Sequence, residues 1–188
     1  GATVVFRLGC ILGASMALIG WRFDEIMTRI LDILLSIPSS ILLVSLVVLF
    51  GRSFSSLLIA MVIPAIPGGA RLCRTVFLSI VGQSYIETAR ANGCSPARIL
   101  FHHVIPNALS ILMIQYSNQV ASMVVSAAGF SYLGLGIQPP TPEWGSMLSE
   151  AQAYLRTFPN AVIWPGIIIS LVTVALSLMG NGMSEALD

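Results

Sequence analysis

Lysine is absent from this 188-residue chain, and all nine basic residues are arginine. The absence excludes Schiff-base chemistry on a lysine and the lysine-dependent phosphate loops of many ATPases. Charge of either sign is scarce, since charged residues make up 9% of the chain and the net charge is +1. So small a positive charge gives no basic surface for nucleic acid, and we expect no nucleic-acid partner.

Cysteines and metal-ligand patterns are also sparse. Cys10, Cys73 and Cys94 have unrelated spacings, and an odd number of cysteines argues against a disulfide framework, so we interpret them as packing thiols. His102 and His103 are adjacent, and adjacent side chains on a helix point about 100° apart, so they cannot easily share one metal ion. We expect no metal site, no catalytic residue and no cofactor bound by this chain.

Apolar residues dominate instead: 56% of the chain is hydrophobic and the mean hydropathy is +0.89. A soluble domain of this size needs more polar surface, so membrane lipid must be the main solvent. A spanning helix needs about 20 apolar residues. The sequence therefore predicts an all-α fold, a polytopic transmembrane helical bundle of about five spans, at residues 2–21, 30–50, 55–80, 107–130 and 158–180.

The first three spans contain small residues and prolines in informative positions. Gly9, Gly13 and Ala17 recur every four residues, which predicts a stripe for close helix packing. Pro38 interrupts the second span and predicts a kink. The third span has two prolines near its middle and two arginines in its second half, so we expect its first half to span the membrane and its second half to leave it.

The fourth span carries a run of polar side chains that would be costly toward lipid. They should face other helices or a water-filled path. Hydrogen bonding between helices and a solute path explain the pattern equally well. The residues that we assign to a candidate path are Gln115, Asn118, Gln119 and Ser122.

Arginine placement predicts the orientation, because short loops rich in Lys or Arg stay in the cytoplasm. With residues 87–106 inside, we expect residues 131–157 to form a loop on the outside. Asp32 then lies near an inner helix end, where an ion pair or a position at the water boundary is favoured over a carboxylate in the path. In this orientation the inside segments hold Arg22, Arg29, Arg71, Arg74, Arg90 and Arg98, and the outside segments hold Arg52 and Arg156.

A polar segment, residues 87–106, interrupts the apolar pattern. Gly93 predicts a helix stop, because glycine tolerates the left-handed conformation that follows many helix ends. Ser95 and Pro96 predict a new helix with a capping hydroxyl and a proline at its first position, and Pro106 marks the start of the next span. We predict two short helices joined by a glycine turn. Pattern alone also fits an amphipathic segment lying on the membrane surface.

Glu87, Ala89 and Gly93, followed by Ile105 and Pro106, resemble the cytoplasmic signature loop of ABC-importer membrane subunits. That signature is usually written Glu-Ala-Ala, three residues, Gly, nine residues, Ile-x-Leu-Pro. In the family this loop is a coupling loop that sits in a groove of the ATP-hydrolysing subunit.

Three positions depart from the general signature: Thr88, His103 and Ile105. Residues 103–107 instead resemble the His-Val-Leu-Pro-Asn variant of the peptide and nickel permease branch. Further segments resemble that branch, although Asn181 stands where it usually has Asp. These segments are residues 23–29, Asp32, residues 38–39, 133–136, 139–145 and 165–166, and the tail at 180–182.

The resemblance covers nearly the whole chain and implies one ABC-transporter transmembrane domain, residues 1–188, with a coupling loop at 83–106. The branch usually begins with a further helix and a periplasmic segment, which we expect to lie outside these 188 residues, either because the sequence is a fragment or because the natural chain is shortened. It implies a translocation subunit, not an enzyme, in a bacterial or archaeal inner membrane. Implied partners are ATP-binding subunits that carry ATP and Mg, a second permease subunit in a hetero- or homodimer, and a periplasmic or lipid-anchored substrate-binding protein.

The same resemblance suggests roles for individual residues. Glu87 would be the main charged contact with the ATPase, Ala89 would let the helix lie close, and Gly93 would permit the turn. The ATPase-coupling set is Glu87, Thr88, Ala89, Arg90, Gly93, Arg98, Ile105 and Pro106. The set for the periplasmic loop, as interfacial anchor, gate or docking site, is Pro139, Pro140, Pro142, Glu143, Trp144 and Gly145.

The leading hypothesis is a permease subunit of an ATP-driven importer for peptides or related small solutes. A secondary transporter or channel with broken helices at Pro38 and at residues 64–69 is the alternative, but the sequence shows no convincing internal repeat. An intramembrane enzyme would need paired carboxylates, a nucleophile with its base, or metal-ligand spacing, and none of these patterns is present.

Overall fold

The computed structural model describes residues 1–136 and 140–186, and this part of the chain is mainly helical, without a strand. The predicted all-α fold is confirmed. A π-helical turn, Leu100–Val104, joins α6 to α7, and a 3₁₀ turn, Gln152–Tyr154, follows α8. The helices are α1 Ala2–Ile19, α2 Trp21–Leu35, α3 Ser39–Phe50, α4 Phe54–Val81, α5 Ser84–Ala91, α6 Pro96–Ile99, α7 Ile105–Tyr132, α8 Trp144–Ala151 and α9 Asn160–Glu185.

Within the described residues, four helical runs are long and apolar enough to cross a membrane: α1, α4, the continuous run Pro96–Tyr132, and α9. A fifth span results if α2 and α3 count as one broken segment, bent by 73°. The bend lies at Pro38, where the sequence predicts a kink. The prediction of about five spans is therefore confirmed.

The third predicted span is one unbroken helix. Pro64 and Pro67 lie inside α4, which runs for 28 residues. At 1.5 Å per residue this is roughly 42 Å, longer than the roughly 30 Å hydrocarbon core. The arginine-bearing end of α4 can therefore extend beyond the hydrocarbon without a break in the helix.

The backbones of α1 and α4 lie in close contact. An added Cβ on Gly9 would lie 2.9 Å from the carbonyl carbon of Gly69, and one on Gly13 would lie 2.6 Å from the backbone nitrogen of Arg74. Backbones that approach this closely leave no space for a side chain. The predicted small-residue stripe is therefore confirmed at both glycines.

The helix α7 packs against several others along its length. A Cβ on Gly180 of α9 would lie 2.6 Å from the Cβ of Ser117, and one on Gly145 of α8 would overlap the carbonyl oxygen of Ala128. On the other side, the hydroxyl groups of Thr3 and Tyr116 are 3.0 Å apart and form a hydrogen bond between α1 and α7. Small residues thus let α8 and α9 lie against one face of α7.

One expectation needs correction, because residues 131–157 are not only a loop. They contain α8 and the 3₁₀ turn. Glu143 caps α8, since its Oε2 accepts a hydrogen bond of 3.0 Å from the backbone N–H of Ser146. A short helix fixed by a cap and by contact with α7 has no long hydrophobic repeat to indicate it.

The α1–α4 contact can be tested by a single methyl group. We expect Gly13→Ala to lower the free energy of unfolding by about 1–3 kcal/mol, the usual cost of overpacking. Gly68→Ala is the matched control, since nothing lies within 4 Å of its added Cβ. Unfolding by SDS in mixed micelles measures both variants, and an equal loss of stability in the two would contradict the close contact.

Candidate functional site

The first candidate site is the coupling loop, residues 83–106, which begins with α5 and a glycine turn. The backbone N–H of Cys94 donates to the carbonyl of Ala89 at 3.1 Å, and that of Gly93 donates to Arg90 at 2.9 Å. This pair of bonds is a Schellman motif. Gly93 has φ +79°, so the predicted helix stop is confirmed.

Gly93 is required for its backbone angle and not for lack of space. Nothing lies within 4 Å of an added Cβ. The left-handed conformation costs other residues about 1–2 kcal/mol, with Asn among the few that adopt it routinely. Side chains at this position are therefore distinguished by φ preference alone.

The predicted restart after the turn is also confirmed. The side chain of Ser95 accepts a hydrogen bond of 3.3 Å from the backbone N–H of Arg98, and Pro96 is the first residue of α6. A cap at this position stabilises the start of a helix by about 1 kcal/mol.

The sequence predicts that the second helix of the coupling loop is short and separate, and this prediction is wrong. The helix continues through the π-helical turn into α7, so Pro106 lies inside a run from Pro96 to Tyr132. Proline lacks an N–H and its ring crowds the preceding turn, and here the turn widens so that Ile105 N–H donates to Leu100. The side chain of Asn107 donates to the carbonyl of His103 at 2.6 Å.

The inner side of the coupling loop is packed against the ends of the long helices. Ile86 of α5, Ile99 of α6 and Val104 of the π turn are buried. They form one apolar cluster with Phe77, Ile80 and other residues of α4, and side chains of α1 pack on the same cluster. The loop is therefore attached to three long helices by an apolar core.

The outer side of the coupling loop carries most of the residues assigned to ATPase contact. Ala89 and Ile105 are half-buried, as expected of residues that face the bundle. Arg90 lies at the edge, where it lines a 350 Å³ cavity with the end of α1. Six of the assigned residues are exposed, namely Glu87, Thr88, Arg90, Gly93, Arg98 and Pro106.

Two ion pairs connect α2 to α4. The guanidinium group of Arg74 donates hydrogen bonds to both carboxylate oxygens of Asp24. Asp32 pairs with Arg71. The ion pair expected for Asp32 is confirmed. The role of Asp24 was not predicted, because a partner fifty positions away in the chain leaves no local pattern.

The second candidate site is a polar strip along α7. Gln115, Asn118, Gln119 and Ser122 all line a 190 Å³ cavity between α1, α4 and α7. Two of them, Gln119 and Ser122, also line a 250 Å³ cavity between α3, α4 and α7. The structure thus brings all four candidate path residues together on one face of the helix.

Three serines outside the assigned path set complete this second cavity. Ser39 and Ser40 lie at the start of α3, and Ser126 lies one turn beyond Ser122 on α7. The signal for Ser126 was its spacing, since residues 115, 119, 122 and 126 follow one helix face. The serines of α3 follow Pro38, so the helix break brings their hydroxyl groups to the cavity.

Two of the residues assigned to the periplasmic loop have structural roles in the fold. Pro139 lies outside the described residues, whereas Pro140, Pro142 and Trp144 are exposed. Glu143 caps α8 and Gly145 gives α8 its close approach to α7. The last two residues therefore have structural roles, whatever the loop binds.

The two histidines lie apart from any ligand cluster. The ring centroid of His103 lies 6.3 Å from that of Tyr85 on α5, and His102 is exposed. In residues 1–136 and 140–186 no three His, Cys, Asp or Glu side chains converge on a metal position.

The fold and these two sites define a multi-pass membrane protein with a helical loop attached to its long helices. A family model described as "Binding-protein-dependent transport system inner membrane component" matches residues 9–188. The chain belongs to this family. It is 38% identical over 169 residues to the "Glutathione transport system permease protein GsiD" of Shigella flexneri serotype 5b (strain 8401) and of Escherichia coli O6:K15:H31 (strain 536 / UPEC).

Each alignment covers 90% of this chain and 55% of the relative, so the chain spans about half the length of these curated relatives. Two crystal forms of the MetNI methionine ABC transporter in inward-facing conformations share the fold. Their TM-scores are 0.80 and 0.84 at 20% identity, over 100% of this chain and 89% of theirs. At this identity the likeness shows the fold alone.

Cysteine labelling can test whether the polar strip is wet. In a chain whose native cysteines are replaced by alanine, Ser122→Cys should react with a water-soluble thiol reagent at least about ten times faster than Ser117→Cys. Ser122 is exposed and lines both cavities, whereas Ser117 is buried and reacts only after local opening. Equal rates would contradict a water-filled path on this face.

Proposed function

We propose that this chain is the membrane-spanning permease subunit of an ATP-driven ABC importer. Separate subunits hydrolyse ATP, with ATP and Mg bound there, and this chain converts their movement into solute passage. It works in the cytoplasmic membrane of a bacterium or archaeon, with the coupling loop on the cytoplasmic side.

The observation that carries this proposal is the attachment of the coupling loop. Its outer face presents Glu87, Thr88 and Arg98, while its inner face buries Ile86 and Ile99 in the core shared by α1, α4 and α7. A partner that pushes on the outer face would move all three helices, because a close-packed core transmits displacement.

The polar strip on α7 supports passage of a solute along the same subunit. The two cavities are lined by amide, hydroxyl and apolar groups, without a charged side chain. Neutral amides both donate and accept hydrogen bonds, which suits a peptide or another small solute with several amide groups. Kinship with permeases named for glutathione transport supports the same class.

The proposed assembly contains two permease subunits, two ATP-binding subunits and a substrate-binding protein on the outer side. Large apolar side chains of α3 and α9 are exposed, including Val48, Leu49, Leu171 and Leu178. Membrane lipid and the second permease subunit would cover such faces. The outer ends of the spans, with the exposed Pro140, Pro142 and Trp144, would face the binding protein.

Substitutions of Gly93 test the coupling role. We expect Gly93→Val to reduce binding-protein-stimulated ATP hydrolysis in the reconstituted complex to near its unstimulated rate, because valine is strained at φ +79°. Gly93→Asn is the matched control and should retain most of the stimulation, since asparagine tolerates this conformation.

Glu87→Arg tests the same contact by charge and should also abolish stimulation while the chain remains inserted. Equal membrane content of all variants is checked first. Undiminished stimulation in both Gly93→Val and Glu87→Arg would contradict the coupling role.

Paired cysteines test the proposed orientation. Thr141 and Thr88 are both exposed and lie on opposite sides in the proposed topology. In intact cells, a membrane-impermeant thiol reagent should label Thr141→Cys, whereas Thr88→Cys should be labelled only after permeabilisation. Labelling of Thr88→Cys in intact cells, with Thr141→Cys labelled only after permeabilisation, would contradict the proposed topology.

A further inference from the structure

An apolar groove separates α1 from the run formed by α6, the π turn and α7. The 540 Å³ groove follows α1 from Phe6 to Ile19, a length of roughly 20 Å at 1.5 Å per residue. This is long enough to hold an acyl chain across one leaflet, which is about half of the roughly 30 Å hydrocarbon core. Among the described lining residues, Ser15 carries the one hydroxyl group, and the rims at Ile11 and Phe101 are exposed.

A cationic side chain, that of Arg90, lies near one end of the groove. Leu18 and Pro96 line both the groove and the neighbouring 350 Å³ cavity, whose lining includes Arg90. Both ion pairs found among the described residues join α2 to α4, and neither includes Arg90. The guanidinium therefore has free capacity for an anionic partner beside the groove.

The same end also carries the features of a membrane interface. Trp21 follows α1 after a single residue and is 72% exposed, and the guanidinium of Arg22 lies 5.7 Å from its ring centroid. Tryptophan and arginine are enriched where headgroups meet the hydrocarbon. Arg90 borders a cavity that also includes Gly20, so its side chain lies near headgroup depth.

We propose that this groove and Arg90 form a binding site for an anionic phospholipid. One acyl chain lies in the groove between α1 and α7, and Arg90 donates hydrogen bonds to the phosphate, a pairing that its planar guanidinium suits. An apolar helix of another subunit would cover the rims, but it would supply no anion for Arg90. The charge at the end of the groove therefore favours the lipid.

The site lies where lipid would influence coupling. Arg90 belongs to α5, and the groove walls belong to α1 and α7, the helices that share the apolar cluster with the coupling loop. A bound lipid would bridge the loop and both helices. This role extends beyond the proposed transport function, and lipid binding can be measured without ATP or solute.

Native mass spectrometry of the purified transporter complex tests the proposal. The probes are phosphatidylglycerol and phosphatidylcholine with identical palmitoyl and oleoyl chains. We expect tighter retention of phosphatidylglycerol, and a loss of about tenfold in its affinity on Arg90→Gln, because a charge-assisted bond is removed. Arg98→Gln is the matched control, since Arg98 is an exposed arginine of the same loop that lines neither cavity.

A second variant tests the acyl-chain part of the site. Ala97 is exposed and lines the groove, so Ala97→Phe should fill it without disturbing the core and should also reduce retention. The proposal is overturned if the wild-type complex shows no preference for phosphatidylglycerol. Equal losses in Arg90→Gln and Arg98→Gln, or full retention in Ala97→Phe, would overturn it as well.

Discussion

The backbone contact between α1 and α4 is the constraint on which the other helix positions depend. Lipid provides no hydrophobic force between helices, so close van der Waals packing must hold them together. Gly9 and Gly13 allow that approach, and the thiol groups of Cys10 and Cys73 lie 3.3 Å apart at the same crossing. With α4 fixed against α1, the arginines of α4 reach α2. The last turns of α4 form the apolar surface on which the coupling loop packs.

Packing on this surface makes the coupling loop part of the helical bundle and not a flexible connection. The Schellman motif fixes the end of α5, and the Ser95 cap fixes the start of α6. Between them only a short turn remains, and both helices bury an isoleucine in the cluster shared with α1 and α4. In the proposed transporter, force on α5 would therefore displace α1, α4 and α7 together.

Much of this arrangement is predictable from sequence, where the signal is local or periodic. Gly93 and Ser95 satisfy backbone requirements within a few residues, and Gly9 and Gly13 form a stripe with a regular spacing. The continuous helix through Pro106 was missed because proline reads as a boundary, while the π turn absorbs it. The ion pairs between α2 and α4 and the packing of α8 against α7 depend on tertiary contacts, which no short sequence pattern encodes.

In the proposed transporter, the two faces of α7 explain how one helix joins loop movement to a solute path. Its small residues, such as Ser117 and Ala128, meet α9 and α8, whereas its amides border the two cavities. Polar groups are costly toward lipid, so this strip is stable only against protein or water. Because the helical run from Pro96 to Tyr132 includes α6, a tilt of the coupling loop would move the strip directly, without a hinge between the two sites.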